Sequence, residues 1–100
     1  MAWATNYIES LKQGQTVQFR PKGNSMIPLI HSGNLCTVEP VSPEEIKKGD
    51  IVLCVVNGHQ YLHLVKAIQP NRVLIGNNKG GVNGWTSSTK VYGRLLKIEP

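Results

Sequence analysis

The sequence predicts a mostly β fold: a small folded-over sheet, or partly open barrel, of about six strands with a short N-terminal helix. Short apolar runs recur along the chain, among them "DIVLCVV" and "QYLHLVKAI". Gly, Asn and Pro punctuate them at short intervals, as turns between strands require. Only the first dozen residues carry helical spacing of any length.

Residues 3 to 13, "WATNYIESLKQ", are the expected helix. Trp3, Tyr7 and Leu11 recur at i, i+4 and i+8, Ile8 widens that face, and Gly14 stops it. "QTVQFRP" then alternates, with Val17 and Phe19 on one face. "LCTVEPV" is the second apolar run. Ser42, Pro43, Glu44 and Glu45 read as an N-cap, a first-turn proline and first-turn acids, and Gly49 ends that single turn. "DIVLCVV" is the next strand. Asn57-Gly58 suits a two-residue hairpin turn, with His59 in the turn. "QYLHLVKAI" returns as the partner, "VLIG" is a short strand, and "KVYGRLLKI" closes the chain. Between the last two, "NNKGGVNGW" reads as a Gly- and Asn-rich loop anchored by Trp85. With no repeat, linker or low-complexity tract, the expectation is one domain over 1–100, with a β-rich core over 15–98.

Composition narrows the function classes. The net charge is +5, but the eleven Lys and Arg are scattered and only six residues are aromatic. A nucleic-acid face needs clustered positive charge, so nucleic acid is not the expected partner. No apolar run approaches the roughly 18 residues that span a bilayer. "MAWATNYIES" lacks the basic start and apolar stretch of a leader. A cytoplasmic location without a transmembrane anchor is therefore expected. Cys36 and Cys54 lie in apolar β runs with no C-x-x-C, so both read as buried reduced thiols. Neither has good metal ligands nearby in sequence; no metal or cofactor is expected.

One stretch raises chemistry. In "KGNSMIP", turn residues precede Ser25, apolar Met26 and Ile27 follow it, and Pro28 fixes the exit. A serine nucleophile needs a base within hydrogen-bond reach. His31 and His59 read as solvated turn residues. His63 lies inside an apolar strand, where it is either a satisfied semi-buried group or a functional one. Lys66 is the rival, but it would need strong desolvation to be neutral near pH 7. By strand parity Tyr61, His63, Val65 and Ala67 share one face and Lys66 the other, unless a bulge intervenes.

The ordered set Gly23-x-Ser25-Met26-x-Pro28-x-Ile30, then Gly33, then Gly49-Asp50-Ile51-Val52, then His63 and Val65, then Gly76 and Asn78, then Gly93, resembles the S24/S26 serine peptidase superfamily. That group contains signal peptidase I and the LexA-type self-cleaving repressors. The resemblance runs over roughly 15 to 98 and implies a folded-over β fold with Ser25 as nucleophile. "YLHLV" is similar to the histidine-type strand, which makes His63 the base; aligning Lys66 instead resembles the lysine-type members. Histidine-type members carry an orienting acid, yet here Asn77 and Asn83 stand where acids are expected. Asp50, the only aspartate, belongs to the Gly-Asp motif and is expected to cap its turn. An Asn carbonyl can orient an imidazole but cannot compensate its charge, and the Asp-to-Asn exchange costs about 10⁴ in rate in a well-studied protease. Gly23, two residues before Ser25, offers no hydroxyl, so an oxyanion hole would rest on backbone N–H groups near Ser25 or on another chain segment.

The implied function is peptide-bond hydrolysis by a serine endopeptidase-like protein, with the substrate extended against Met26, Pro28, Asn78 and Trp85. The alternative is a catalytically inactive module of the same fold that binds an extended peptide or protein partner. Neither a membrane anchor nor a DNA-binding domain accompanies the motifs, so a stand-alone member is expected. A homodimer is compatible with the sequence.

Overall fold

The computed structural model describes residues 3–100; Met1 and Ala2, the first residues of the expected 1–100 span, lie outside the described residues. The helix α1 covers Thr5–Lys12, slightly shorter at both ends than expected, and buries Ile8 and Leu11. Gly14, with φ of 85°, ends it.

Seven strands follow: β1 (Val17–Phe19), β2 (Leu35–Pro40), β3 (Ile51–Val56), β4 (His59–Gln69), β5 (Arg72–Gly76), β6 (Val82–Ser87) and β7 (Val91–Glu99). They form one antiparallel sheet in the order β1-β2-β7-β3-β4-β5-β6. The count exceeds the expected six because β6 occupies what read as loop. Its Asn and Gly content hid it; pairing of Leu74 with Trp85 and Val73 with Thr86 forms it, an instance of tertiary context overriding composition. His59 opens β4 rather than sitting in the turn. Asn57 and Gly58 both have positive φ, 49° and 81°, the geometry that joins two twisted strands in a two-residue hairpin. Ser42 caps a 3₁₀ turn, Pro43–Glu45: its backbone N–H and its hydroxyl both donate to Glu45 Oε1, at 3.0 and 2.8 Å.

The sheet buries residues on both faces. Ile8, Leu11, Phe19, Met26, Ile30 and Val38 gather with Leu53 on one side. Val52, Cys54, Val56, Val65, Val73 and Ile75 gather on the other. Strand β3 alternates between the two cores, which is why "IVLCVV" is apolar throughout. The ladder is irregular between Val65 and Ala67 and between Ile75 and Gly76. Bulges of this kind bend strands and increase twist, and the β6 end folds back over β3. There Thr86 Oγ1 donates to the Val55 carbonyl at 2.7 Å.

Candidate active site

Ser25 sits in a long connection between β1 and β2 that is tied at its base. Gly33 N–H donates to the Pro21 carbonyl at 3.0 Å, and Arg20 Nη1 donates to the Gly33 carbonyl at 2.7 Å. Gly23 takes φ of 111°, which L side chains rarely adopt, so the approach to Ser25 needs glycine. Met26 and Ile30 are both 4% exposed and anchor the turn in the first core. The backbone after the serine is braced from the β5–β6 connection: Asn78 N–H donates to the Ser25 carbonyl at 2.9 Å. Asn78 Nδ2 also donates to the Ile27 carbonyl at 3.0 Å. The peptide bond between Ile27 and Pro28 is cis.

His63 lies on β4 opposite Val52 and is 9% exposed. Its Nε2 is 2.9 Å from Ser25 Oγ, and its Nδ1 is 2.7 Å from Asn83 Oδ1. A carbonyl oxygen can only accept, so Asn83 holds the ring proton on Nδ1. Nε2 is then left as the acceptor for the Ser25 hydroxyl. Tyr61, two residues earlier on the same face, stacks on the ring with centroids 4.9 Å apart and planes 26° apart. Burial pushes the His63 pKa below its ordinary value, and the Asn83 hydrogen bond opposes that only in part. The neutral imidazole is therefore the favoured form, as a general base requires.

A family model described as peptidase S24-like matches residues 2–86. The chain belongs to this family. No curated protein matches the chain. The match ends before β7, yet in this S24-like chain β7 lies between β2 and β3 in the sheet.

The remaining residues singled out from the sequence separate clearly. Lys66 is the residue bulged between Val65 and Ala67. Its side chain lies across Gly76, where an added Cβ would come within 2.8 Å of Lys66 Cε. Ser25 Oγ meets His63, not Lys66. Asn77 shapes its own loop: its Oδ1 accepts from the N–H groups of Lys79 and Gly81, both at 2.8 Å. Asp50 accepts from Lys47 N–H at 2.8 Å and faces Arg94 Nη1 at 3.8 Å, so it caps its turn. Trp85 lies under the Arg72 guanidinium at 4.5 Å. Pro28 is exposed, as are His31 and His59. No group of three or more His, Cys, Asp or Glu able to hold a metal occurs among the described residues.

A groove of about 390 Å³ opens beside the Ser25–His63 pair. Residues 20–30 supply one wall through Pro21, Met26 and Ile30, and β4 supplies the other through Tyr61 and Leu62. β4 pairs with β3 from His59 to Leu64 but with β5 only from Leu64 onward. The stretch before Leu64 is thus a free sheet edge. With a two-residue turn, Val56 and His59 form a hydrogen-bonded pair, and alternation then points the backbone groups of Gln60 and Leu62 away from β3. Trp3 Nε1 donates to the Gln60 carbonyl at 3.2 Å, which fits that direction. Sequence reasoning passed over Trp3 and Gln60 because only the fold brings them to the groove. The Tyr61–His63 stack was foreshadowed by their shared strand parity.

Proposed function

We propose that this S24-like chain is a serine peptidase of the Ser/His type, acting on an extended peptide. The observation that carries the reading is the hydrogen-bonded chain Ser25 Oγ, His63, Asn83 Oδ1. Ser25 Oγ attacks the scissile carbonyl as its proton passes to His63 Nε2. The imidazolium then protonates the leaving amine, and water hydrolyses the acyl-enzyme with His63 again acting as base. Asn83 is the positioning residue, since it fixes the tautomer without touching the reacting atoms. The backbone N–H groups of Ser25 and Met26 make no backbone hydrogen bond among the described residues, which leaves them available as oxyanion donors. The free β4 edge suits a substrate bound as an added strand. Cys36 and Cys54 are free and lie in opposite cores, in keeping with a reducing, cytoplasmic setting.

Labelling by a fluorophosphonate tests the reading. Wild type is expected to label and Ser25→Ala to lose the label. His63→Ala should label slower by about 10²-fold or more, the usual contribution of a general base. Equal labelling of Ser25→Ala, or none of wild type at neutral and alkaline pH, overturns it. The neutral side chain at position 83 favours one second reading, an inactive module of the same fold that binds an extended peptide. Absence of labelling together with peptide binding selects that reading.

A further inference from the structure

The charged side chains that line the groove are basic. Arg20 and Lys22 line it, and no acidic side chain does. The chain has six acids, and each stands elsewhere. Glu9 pairs with Lys12 and Glu99 with Lys97. Glu39 and Asp50 both face Arg94. Glu45 accepts from Ser42, and Glu44 is exposed on the same 3₁₀ turn. Arg20 is committed through Nη1 to the Gly33 carbonyl at 2.7 Å and to the terminal carboxyl oxygen of Pro100 at 3.3 Å, which leaves Lys22 as the open charge. Lys22 is exposed and, among the described residues, has no hydrogen bond or ion pair.

Beneath those cations the walls are apolar. Met26, Ile30 and Leu62 present core side chains to the groove, with Pro21 beside them and Trp3 at its margin. A volume of about 390 Å³ far exceeds what an alanine methyl fills. A small residue would leave this wall wet, whereas a bulky apolar one buries it. Trp3 also bears on how far a peptide can pair. Its indole already donates to the Gln60 carbonyl, so an added strand shares that acceptor and pairs unshared at Leu62, next to His63.

Resting on the peptidase reading of Ser25, we infer that the groove selects an extended peptide carrying a bulky apolar side chain, seated on Met26 and Ile30, and a neighbouring acidic side chain read by Lys22. Charge complementarity identifies the occupant: an unpaired Lys22 and no acidic side chain on a largely apolar wall beside a free strand edge. The net charge of +5 adds a weaker long-range attraction for the same acidic peptides.

The test is calorimetric titration of the full-length Ser25→Ala protein with blocked peptides that differ at two adjacent positions, Leu or Ala at one and Glu or Lys at the other. The Leu–Glu peptide is expected to bind tightest. Replacing Leu by Ala should weaken binding about tenfold, in line with the area lost. Replacing Glu by Lys should weaken it several-fold, as for a partly exposed ion pair, with the difference shrinking at high salt. Lys22→Glu should reverse the Glu/Lys preference while keeping that for Leu. Equal affinity for all four peptides, no saturable binding, or an unchanged charge preference in Lys22→Glu overturns the inference. The readout needs no turnover. Selective binding without fluorophosphonate labelling of wild type therefore sinks the peptidase reading alone, and labelling with unselective binding sinks the specificity alone.

Discussion

At 2.7 Å from His63 Nδ1, the Asn83 carbonyl supplies an orientation and no charge. Asn83→Asp keeps the acceptor and adds the anion that an imidazolium lacks here. Ser25 labelling should rise at least tenfold, bounded by the roughly 10⁴-fold effect of the opposite exchange in a protease triad. The midpoint of its pH profile should also move up, because a carboxylate favours the protonated ring. Asn83→Ala should lower labelling instead. A profile unmoved by either change would show that Asn83 does not position the ring. In wild type, burial depresses the His63 pKa below 6.5, so labelling should hold to lower pH than an ordinary histidine allows. The linkage has the same sign. The unfolded chain binds the extra proton, so this residue's contribution to stability is full above about pH 6.5 and falls as pH drops through the lower folded-state value. Urea midpoints of wild type and His63→Gln across that window check it.

Among the elements, the β5–β6 hairpin is the most constrained. Gly76→Ala would place a Cβ against the Gly81 carbonyl oxygen and 2.8 Å from Lys66 Cε. The side chain can move but the backbone oxygen cannot move freely. The expected cost is about 1–3 kcal/mol, as for overpacking, read as a lower urea midpoint and slower Ser25 labelling, because Asn78 braces the serine from the same hairpin. In β3, burial pushes the Cys54 thiol up to about 12, so native protein should resist alkylation there until it is unfolded. Apolar strands such as β3 and β4 were legible because their periodicity is a burial pattern. β6 was not, because Asn83 and Gly84 answer to His63 and to the fold-back rather than to a strand's own preferences. Ser25 and His63 could be chosen by motif and parity. Choosing Asn83 over Asn77 needed the curl that carries β6 back across β3, and no local signal encodes that curl.

At the scale of the molecule, β3 ties the two cores together: Leu53 enters one, while Val52, Cys54 and Val56 enter the other. The two should therefore melt as one unit. Trp3 packs edge-on against Phe19, 5.5 Å between centroids, on the first-core side, and Trp85 reports from β6. Urea transitions followed by fluorescence in Trp3→Phe and Trp85→Phe should each coincide with the far-ultraviolet circular dichroism of the same variant. Separate transitions within one variant would show that the halves unfold independently. Leu53→Ala should lower both signals together, by about 2–5 kcal/mol.

One hairpin holds the backbone of the serine through Asn78, in the β5–β6 connection, and the ring of the histidine through Asn83, at the start of β6. Ser25 and His63 hang from one hinge. If that hairpin lifts, the carbonyl brace and the imidazole tether let go in the same event, so the chain has no half-armed state. Loss of function on mild heating or in denaturant should then be abrupt, and should coincide with the transition that Trp85 reports from the same hairpin.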